Sequence, residues 1–307
     1  MVAVRPAPAL ERFLQSGRVR TEYAWRGTGA RRRITIAVMT ETVLLALDTS
    51  TEFCSVALLR AAPPASGASV IDSGSDTTVW VRHEATGAVS STRLLPAIGE
   101  LFREAGLALA DCDAIAFGSG PGSFTGLRTA TGVAQGLAFG LDIPVVPVST
   151  LLVCAQSARM RDGAATRVLA ALDARMDEAY WAHYEWDEAA GDWRTLQPAS
   201  LDAPGNIAAP DAPFTLAGNA AAAFGARLAA AGAARTVDAD ALPHAVPLAH
   251  AALRAWRAGR VVRADQAAPE YVRNKVAQTT AERLAAKEAA GGGEQAARAP
   301  SAGEDRR

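Results

Sequence analysis

Leu45-Ala46-Leu47-Asp48 and, 125 residues further on, Ala170-Ala171-Leu172-Asp173 carry one pattern. Each is an apolar strand that ends in Asp, followed by a tight polar turn and a second strand. An Asp at the mouth of a hairpin can accept backbone N–H groups, and it can also orient water or a cation beside a phosphate. Asp favours turns in general, so one copy says little. Two copies in equivalent places point to a duplicated framework.

Composition fits a folded chain of that size. Of 307 residues, 50% are hydrophobic and 21% charged, enough apolar material for two lobes and too little charge for a disordered chain. No apolar run approaches the ~20 residues of a membrane span. Cys54, Cys112 and Cys154 are scattered and form no CxxC pair, which excludes a disulfide framework and a thiolate zinc site and fits a reducing compartment. The four histidines, His83, His183, His244 and His250, form no HxxH, HxxxH or HExxH motif, so no histidine metal site is expected. Net charge is −1, but residues 1–38 hold eight arginines against two glutamates, leaving the remainder near −7. Such a body lacks the basic face of a protein that binds nucleic acid by itself.

Along the chain the pattern alternates β and α. Strands are expected at Val43–Leu47, Ser55–Leu59, Val79–Glu84, Ala114–Phe117 and Ile143–Val148, with helices at Ser91–Ala105, about Ser123–Phe139 and Thr150–Arg159. Val168–Leu172 and Glu178–Trp186 open a second region, and 196–270 reads as a small mixed subdomain. The domains expected are an extension over 1–40, a first lobe over 41–160, a smaller second lobe over 161–280 and a disordered tail over 281–307. The extension has no sustained period. Met39 lies just before the first buried strand, which suggests that translation starts there.

Three features carry candidate chemistry or binding. Gly118-Ser119-Gly120-Pro121-Gly122-Ser123-Phe124-Thr125-Gly126 lies between a strand and a helix. Its N–H groups and the helix dipole suit an anion; equally, it is a tight turn that needs glycine for its backbone. It is neither a P-loop nor a dinucleotide fingerprint. Gly132, Gly136 and Gly140 stand four apart on one helix face, for close packing on the sheet or against another subunit. Leu94, Leu95, Ile98, Leu101 and Phe102 form one broad apolar stripe. It is either ordinary core, or it divides between the sheet and a partner; the divided reading is preferred.

These residues identify a family. Leu45–Ser50, Gly118–Arg128, Gln135-Gly136-Leu137-Ala138, Val148-Ser149-Thr150-Leu151, Leu172–Arg175 with Glu178 and Tyr180, and Pro269-Glu270-Tyr271-Val272-Arg273-Asn274 resemble the bacterial TsaB (YeaZ) family over about 43–276. The resemblance implies an α/β, two-lobed, actin-like and ribonuclease-H-like duplicated fold, with mixed sheets flanked by helices, of the acetate kinase/sugar kinase/Hsp70/actin superfamily. It implies a cytoplasmic, non-catalytic subunit that binds and activates TsaD and works with TsaE. Their reaction puts threonylcarbamoyl on N6 of adenosine 37, in tRNAs reading codons that begin with A. ATP/ADP and metal then belong to the partner subunits, tRNA contact is indirect, and the isolated chain can pair with itself. In catalytic relatives an HxxxH pair at the start of the first helix holds a metal; the matching stretch here is Ser90-Ser91-Thr92-Arg93-Leu94, so no metal is expected.

Two residue sets follow. Asp48, Thr49, Ser50, Gly120, Pro121, Gly122, Ser123 and Asp173 would line a vestigial nucleotide or phosphate cleft. Leu94, Leu95, Ile98, Leu101, Phe102, Gly132, Gly136 and Gly140 would form the partner interface, through helix–helix contact with TsaD. The alternative is an ATP-dependent small-molecule phosphotransferase of the same superfamily, using Asp48 and Asp173 around ATP and magnesium. A peptidase has neither a nucleophile–base motif nor a metal pair to support it.

Overall fold

The computed structural model describes residues 22–24, 33–35, 41–63 and 77–273. The expected disordered tail lies outside them. So does most of the expected extension, within which β1 (Glu22–Ala24) and β2 (Arg33–Thr35) pair antiparallel.

The first sheet holds β3 (Thr42–Asp48), β4 (Phe53–Ala61), β5 (Thr77–Ala85), β6 (Ala114–Gly120) and β7 (Val145–Ser149), in the order β5-β4-β3-β6-β7. β3, β4 and β5 form an antiparallel meander, while β6 runs parallel to β3 and β7 parallel to β6. β3 reads as an unbroken apolar run because it is buried on both faces. Val43, Leu45 and Leu47 point to one core and Leu44 and Ala46 to the other, as the two-residue period of a strand requires.

The second sheet repeats the plan. β8 (Arg167–Asp173), β9 (Ala179–Asp187), β10 (Asp192–Asp202), β11 (Thr215–Ala217) and β12 (Thr236–Asp238) stand in the order β10-β9-β8-β11-β12. Again the first three strands are antiparallel and the last two parallel. Numbered within its own sheet, each lobe reads 3-2-1-4-5. The duplication expected from the two Asp-bearing hairpins therefore extends to complete sheets.

Helix α1 (Ser90–Ala105) and helix α2 (Phe124–Leu141) cover one face of the first sheet. Gly106, at φ 67°, ends α1, a conformation that costs glycine little. α2 is capped by Ser123 and runs past Gly140, the expected stop, to Leu141; Asp142 takes the left-handed position instead. Helix α3 (Thr150–Arg161) lies between the lobes. Val153 belongs to a core of the first sheet, and Leu151, Cys154, Ala155 and Ala158 to a core of the second. Helix α4 (Ala220–Phe224) is a short cover on the second sheet.

Two expectations need correction. Helix α5 (Ala245–Arg257), expected in the second lobe, packs on the first sheet: Ala245, Leu248, Ala249, Ala252 and Leu253 share a core with Leu44, Ala46 and Val146. Val262 then bridges to Val145 at the β7 edge. The chain returns to the first sheet because that sheet's second face is apolar and α3 covers only part of it. Of the stripe on α1, Leu94, Ile98, Leu101 and Phe102 are core, packed with Leu45, Leu47 and Phe117. They are not surface residues, so they drop out of the expected interface; Leu95 alone of the five points outward, 54% exposed.

Candidate functional site

The first Asp-bearing hairpin and the Gly-rich loop are in direct contact. Asp48 is the last residue of β3 and is 1% exposed. Its Oδ1 accepts hydrogen bonds from the Ser50 N–H (3.0 Å) and the Ser50 hydroxyl (2.8 Å), while its buried Oδ2 has no partner among the described residues. Burial pushes the carboxyl up to about 6, against the opposing pull of the two Ser50 bonds.

The glycines of the loop answer to this contact. A Cβ on Gly118 would overlap Asp48 Oδ2, and one on Gly126 would overlap the Thr49 carbonyl. One on Gly122 would lie 2.7 Å from the Ser50 carbonyl oxygen. Gly120, at φ 127°, precedes a cis bond to Pro121, and its Cβ position is 2.5 Å from the Glu270 carbonyl oxygen. Several of the loop's polar groups are likewise engaged by the protein. The Ser123 N–H donates to the Ser50 carbonyl (2.8 Å), and the Thr49 hydroxyl donates to the Gly126 carbonyl (2.6 Å). The Thr150 hydroxyl donates to the Pro121 carbonyl, and the Glu270 N–H to the Ser119 carbonyl (2.7 Å). Ser123 Oγ accepts from the Gly126 N–H as the cap of α2. Of the two readings of the loop, close backbone approach accounts for its glycines.

Asp173 sits apart from this cluster, at the turn of the second hairpin. Its Oδ1 accepts from the Arg175 N–H (2.8 Å), and its own N–H donates to Asn219 Oδ1 (2.9 Å). Arg175, Met176 and Asp177 all have positive φ, so this turn is wider and more exposed than its counterpart. The structure thus gathers Asp48, Thr49, Ser50, Gly120, Pro121, Gly122 and Ser123, and holds Asp173 on the other sheet.

The stretch Ser90–Leu94, where the resemblance would put a metal pair, makes contacts within the protein. Ser90 donates its hydroxyl to the Gly87 carbonyl (3.0 Å), and Leu94 is fully buried in the core. Between them Arg93 binds Glu84 and Glu100 through four contacts of 2.6–2.8 Å. Among the described residues no three His, Cys, Asp or Glu side chains are grouped to hold a metal.

The outward side of α1 and α2 is the second feature. A Cβ added at Gly132, Gly136 or Gly140 meets nothing within 4 Å, so these glycines do not serve packing on the sheet. Gly99 on α1 is equally open. Beside them stand Leu95, Val89 and Phe139, the last 78% exposed. Gly99, Val89 and Phe139 were missed in the sequence. Gly99 falls four residues after Leu95 and Phe139 seven after Gly132, so helical spacing alone places each on an outward face. Phe124, Arg128 and Tyr271, part of the motifs that carry the resemblance, were given no site role in the sequence: the Arg128 guanidinium lies 3.9 Å from the Phe124 ring centre and its Nε donates to the Tyr271 hydroxyl (3.0 Å).

Comparison with known proteins agrees with this geometry. A family model described as "TsaD: tRNA N6-adenosine threonylcarbamoyltransferase" matches residues 84–288. The solved structure of YeaZ from Pseudomonas aeruginosa is 41% identical, with a TM-score of 0.65, covering 75% of this chain and 99% of that one. A second structure, titled as an uncharacterized protein with similarity to peptidase YeaZ from Pseudomonas aeruginosa, is also 41% identical, with a TM-score of 0.66, and covers 76% and 100%. The tRNA threonylcarbamoyladenosine biosynthesis proteins TsaB of Escherichia coli and Haemophilus influenzae are each 46% identical, over 145 and 144 residues. Those matches take in 47% of this chain and only 56% and 54% of the relatives, so the chain spans little more than half the length of these curated relatives. With a solved YeaZ relative 41% identical and matched almost end to end, and curated TsaB relatives 46% identical over nearly half of the chain, the chain belongs to the TsaB (YeaZ) family.

Proposed function

We propose that this protein is the non-catalytic subunit of the machinery that places threonylcarbamoyl on N6 of adenosine 37, in tRNAs reading codons that begin with A. It docks on a TsaD-type transferase through the outward side of α1 and α2, in the cytoplasm, with a TsaE-type ATPase in the same assembly. The observation that carries this reading is the fate of the ligand positions: Ser90 is tied to its own turn and Leu94 is core, while a smooth glycine face points outward on the neighbouring helix. A chain without the metal ligands has no means of anchoring a carbamoyl-adenylate as its catalytic relatives do, and ATP and metal belong to the partners. The expected cleft at Asp48 is vestigial on this reading, closed by direct contact with the Gly-rich loop.

The phosphotransferase alternative needs an open Asp48, and Asp48 is 1% exposed with its Oδ1 bonded to Ser50. A peptidase would need an accessible nucleophile. Ser55 Oγ does contact His83 Nδ1 (3.1 Å), but Ser55 is 1% exposed and its oxygen also accepts from the Ala245 N–H; the pair is a structural link between β4, β5 and α5. Reconstitution tests the proposal. Transfer to tRNA is expected from the full set of subunits and from no mixture lacking the transferase. Threonylcarbamoyl transfer, or steady ATP turnover, by the isolated chain would overturn it. No helix among the described residues is long and apolar enough to cross a membrane.

A further inference from the structure

α1 and α2 share one core against the first sheet, so their outward faces belong to one surface. The free charge of the two helices themselves is one-sided. α2 contains no acidic residue. The two acids of α1, Glu100 and Glu104, are bound to Arg82 and Arg93 toward the β5 edge. What is left is Arg103, exposed on the same side of α1 as Leu95 and Gly99, and Arg128, exposed one turn before Gly132. Neither forms an ion pair among the described residues, whereas most arginines there do. Arg128 is also held in place, stacked on Phe124 and hydrogen-bonded through Nε to Tyr271. Its two Nη groups are thus presented with little side-chain entropy left to lose on binding.

We propose that Arg103 and Arg128 set the partner choice of this face, favouring a protein that presents carboxylates over a second copy of this chain. The inference rests on the docking role given above and goes on to name the chemistry of the partner. An isologous dimer presses the same patch against itself. It would place four arginines in the interface with no uncommitted carboxylate from either helix. A partner with Asp or Glu opposite these positions gains charge-assisted, bidentate bonds instead. Like charges in apposition reject the wrong partner, and opposite charges steer the right one.

The experiment measures two dissociation constants side by side, one for the TsaD-type subunit and one for self-association by sedimentation, at about 50 and about 500 mM NaCl. It compares the wild type with the Arg103→Ala/Arg128→Ala and Arg103→Glu/Arg128→Glu variants; both positions are exposed, and thermal melting checks the fold. Binding to the transferase subunit is expected to weaken about tenfold in the double Ala variant, further in the double Glu variant, and with salt in the wild type. Self-association is expected to hold or tighten in the double Ala variant. Heterodimer affinity within about twofold across all variants would overturn the inference while leaving the docking role intact. Self-association that depends on the arginines would overturn it too, as would a loss confined to tRNA binding. A wild-type chain that fails to bind the transferase subunit at all would instead refute the docking role itself.

Discussion

Asp48 is enclosed on all sides with one oxygen unpartnered, and Gly118 approaches so closely that no side chain fits between them. Its carboxyl, raised by burial to about 6, binds a proton more tightly in the folded chain than in the unfolded one. The charged form therefore costs stability, and the cost grows as pH rises from about 4 to about 6 and stays constant above that. Asp48→Asn keeps the bonds from Ser50 and removes the charge. It should stabilise the protein by about 2 kcal/mol at pH 7 and by almost nothing at pH 4; urea denaturation across that range checks both. The Asp at this turn is plain in the sequence, since a strand followed by Asp-Thr-Ser is a local signal. That its carboxyl is sealed by a loop seventy residues away is not, because closure depends on how β6 docks beside β3.

The glycines separate at the level of the element. Gly126 sits in the first turn of α2 against the Thr49 carbonyl, while Gly136 in its middle faces open space. Gly126→Ala should cost more than about 3 kcal/mol, because backbone has to move. Gly136→Ala should instead stabilise by about 0.5–1 kcal/mol, through helix propensity alone. Chemical denaturation of the two variants gives opposite signs if the helix faces are as described. The α1 stripe divides the same way. Leu94→Ala should cost about 2–5 kcal/mol and Leu95→Ala under about 0.5. Helical periodicity made both stripes legible, since a 3.6-residue period identifies a face. It did not say how wide the covered part was: Leu94 and Leu95 are adjacent in sequence, and only the position of the sheet puts one inside and one outside. α5 was unreadable for a related reason. Its Ala-rich sequence carries an apolar face that suits either sheet, and its choice of the first follows from which face lay uncovered.

For the molecule as a whole, the contacts between the two lobes among the described residues include α3 and a buried ion pair. Arg254 on α5 bonds Asp192 at the start of β10 (3.1 Å) and Gln156 on α3, with its guanidinium near Trp186. Burial pulls the Arg254 guanidinium below its usual value, with Asp192 opposing. Asp192→Ala would strand that cation and should cost about 3–5 kcal/mol, whereas a matched apolar replacement of both partners should cost far less; a double-mutant cycle by denaturation separates the two. The duplicated plan was legible from two hairpins, because each strand–Asp–turn unit is local; the latch between the lobes joins residues sixty and more apart and left no such trace. On the function proposed, this framework works by docking rather than by chemistry. The most direct test of that is threonylcarbamoyl transfer to tRNA by the complete assembly containing Gly136→Trp, a change made in open space. We expect a chain that melts as the wild type does, no longer binds the transferase subunit, and leaves the assembly inactive. Undiminished transfer with Gly136→Trp fully folded would rule out docking through this face.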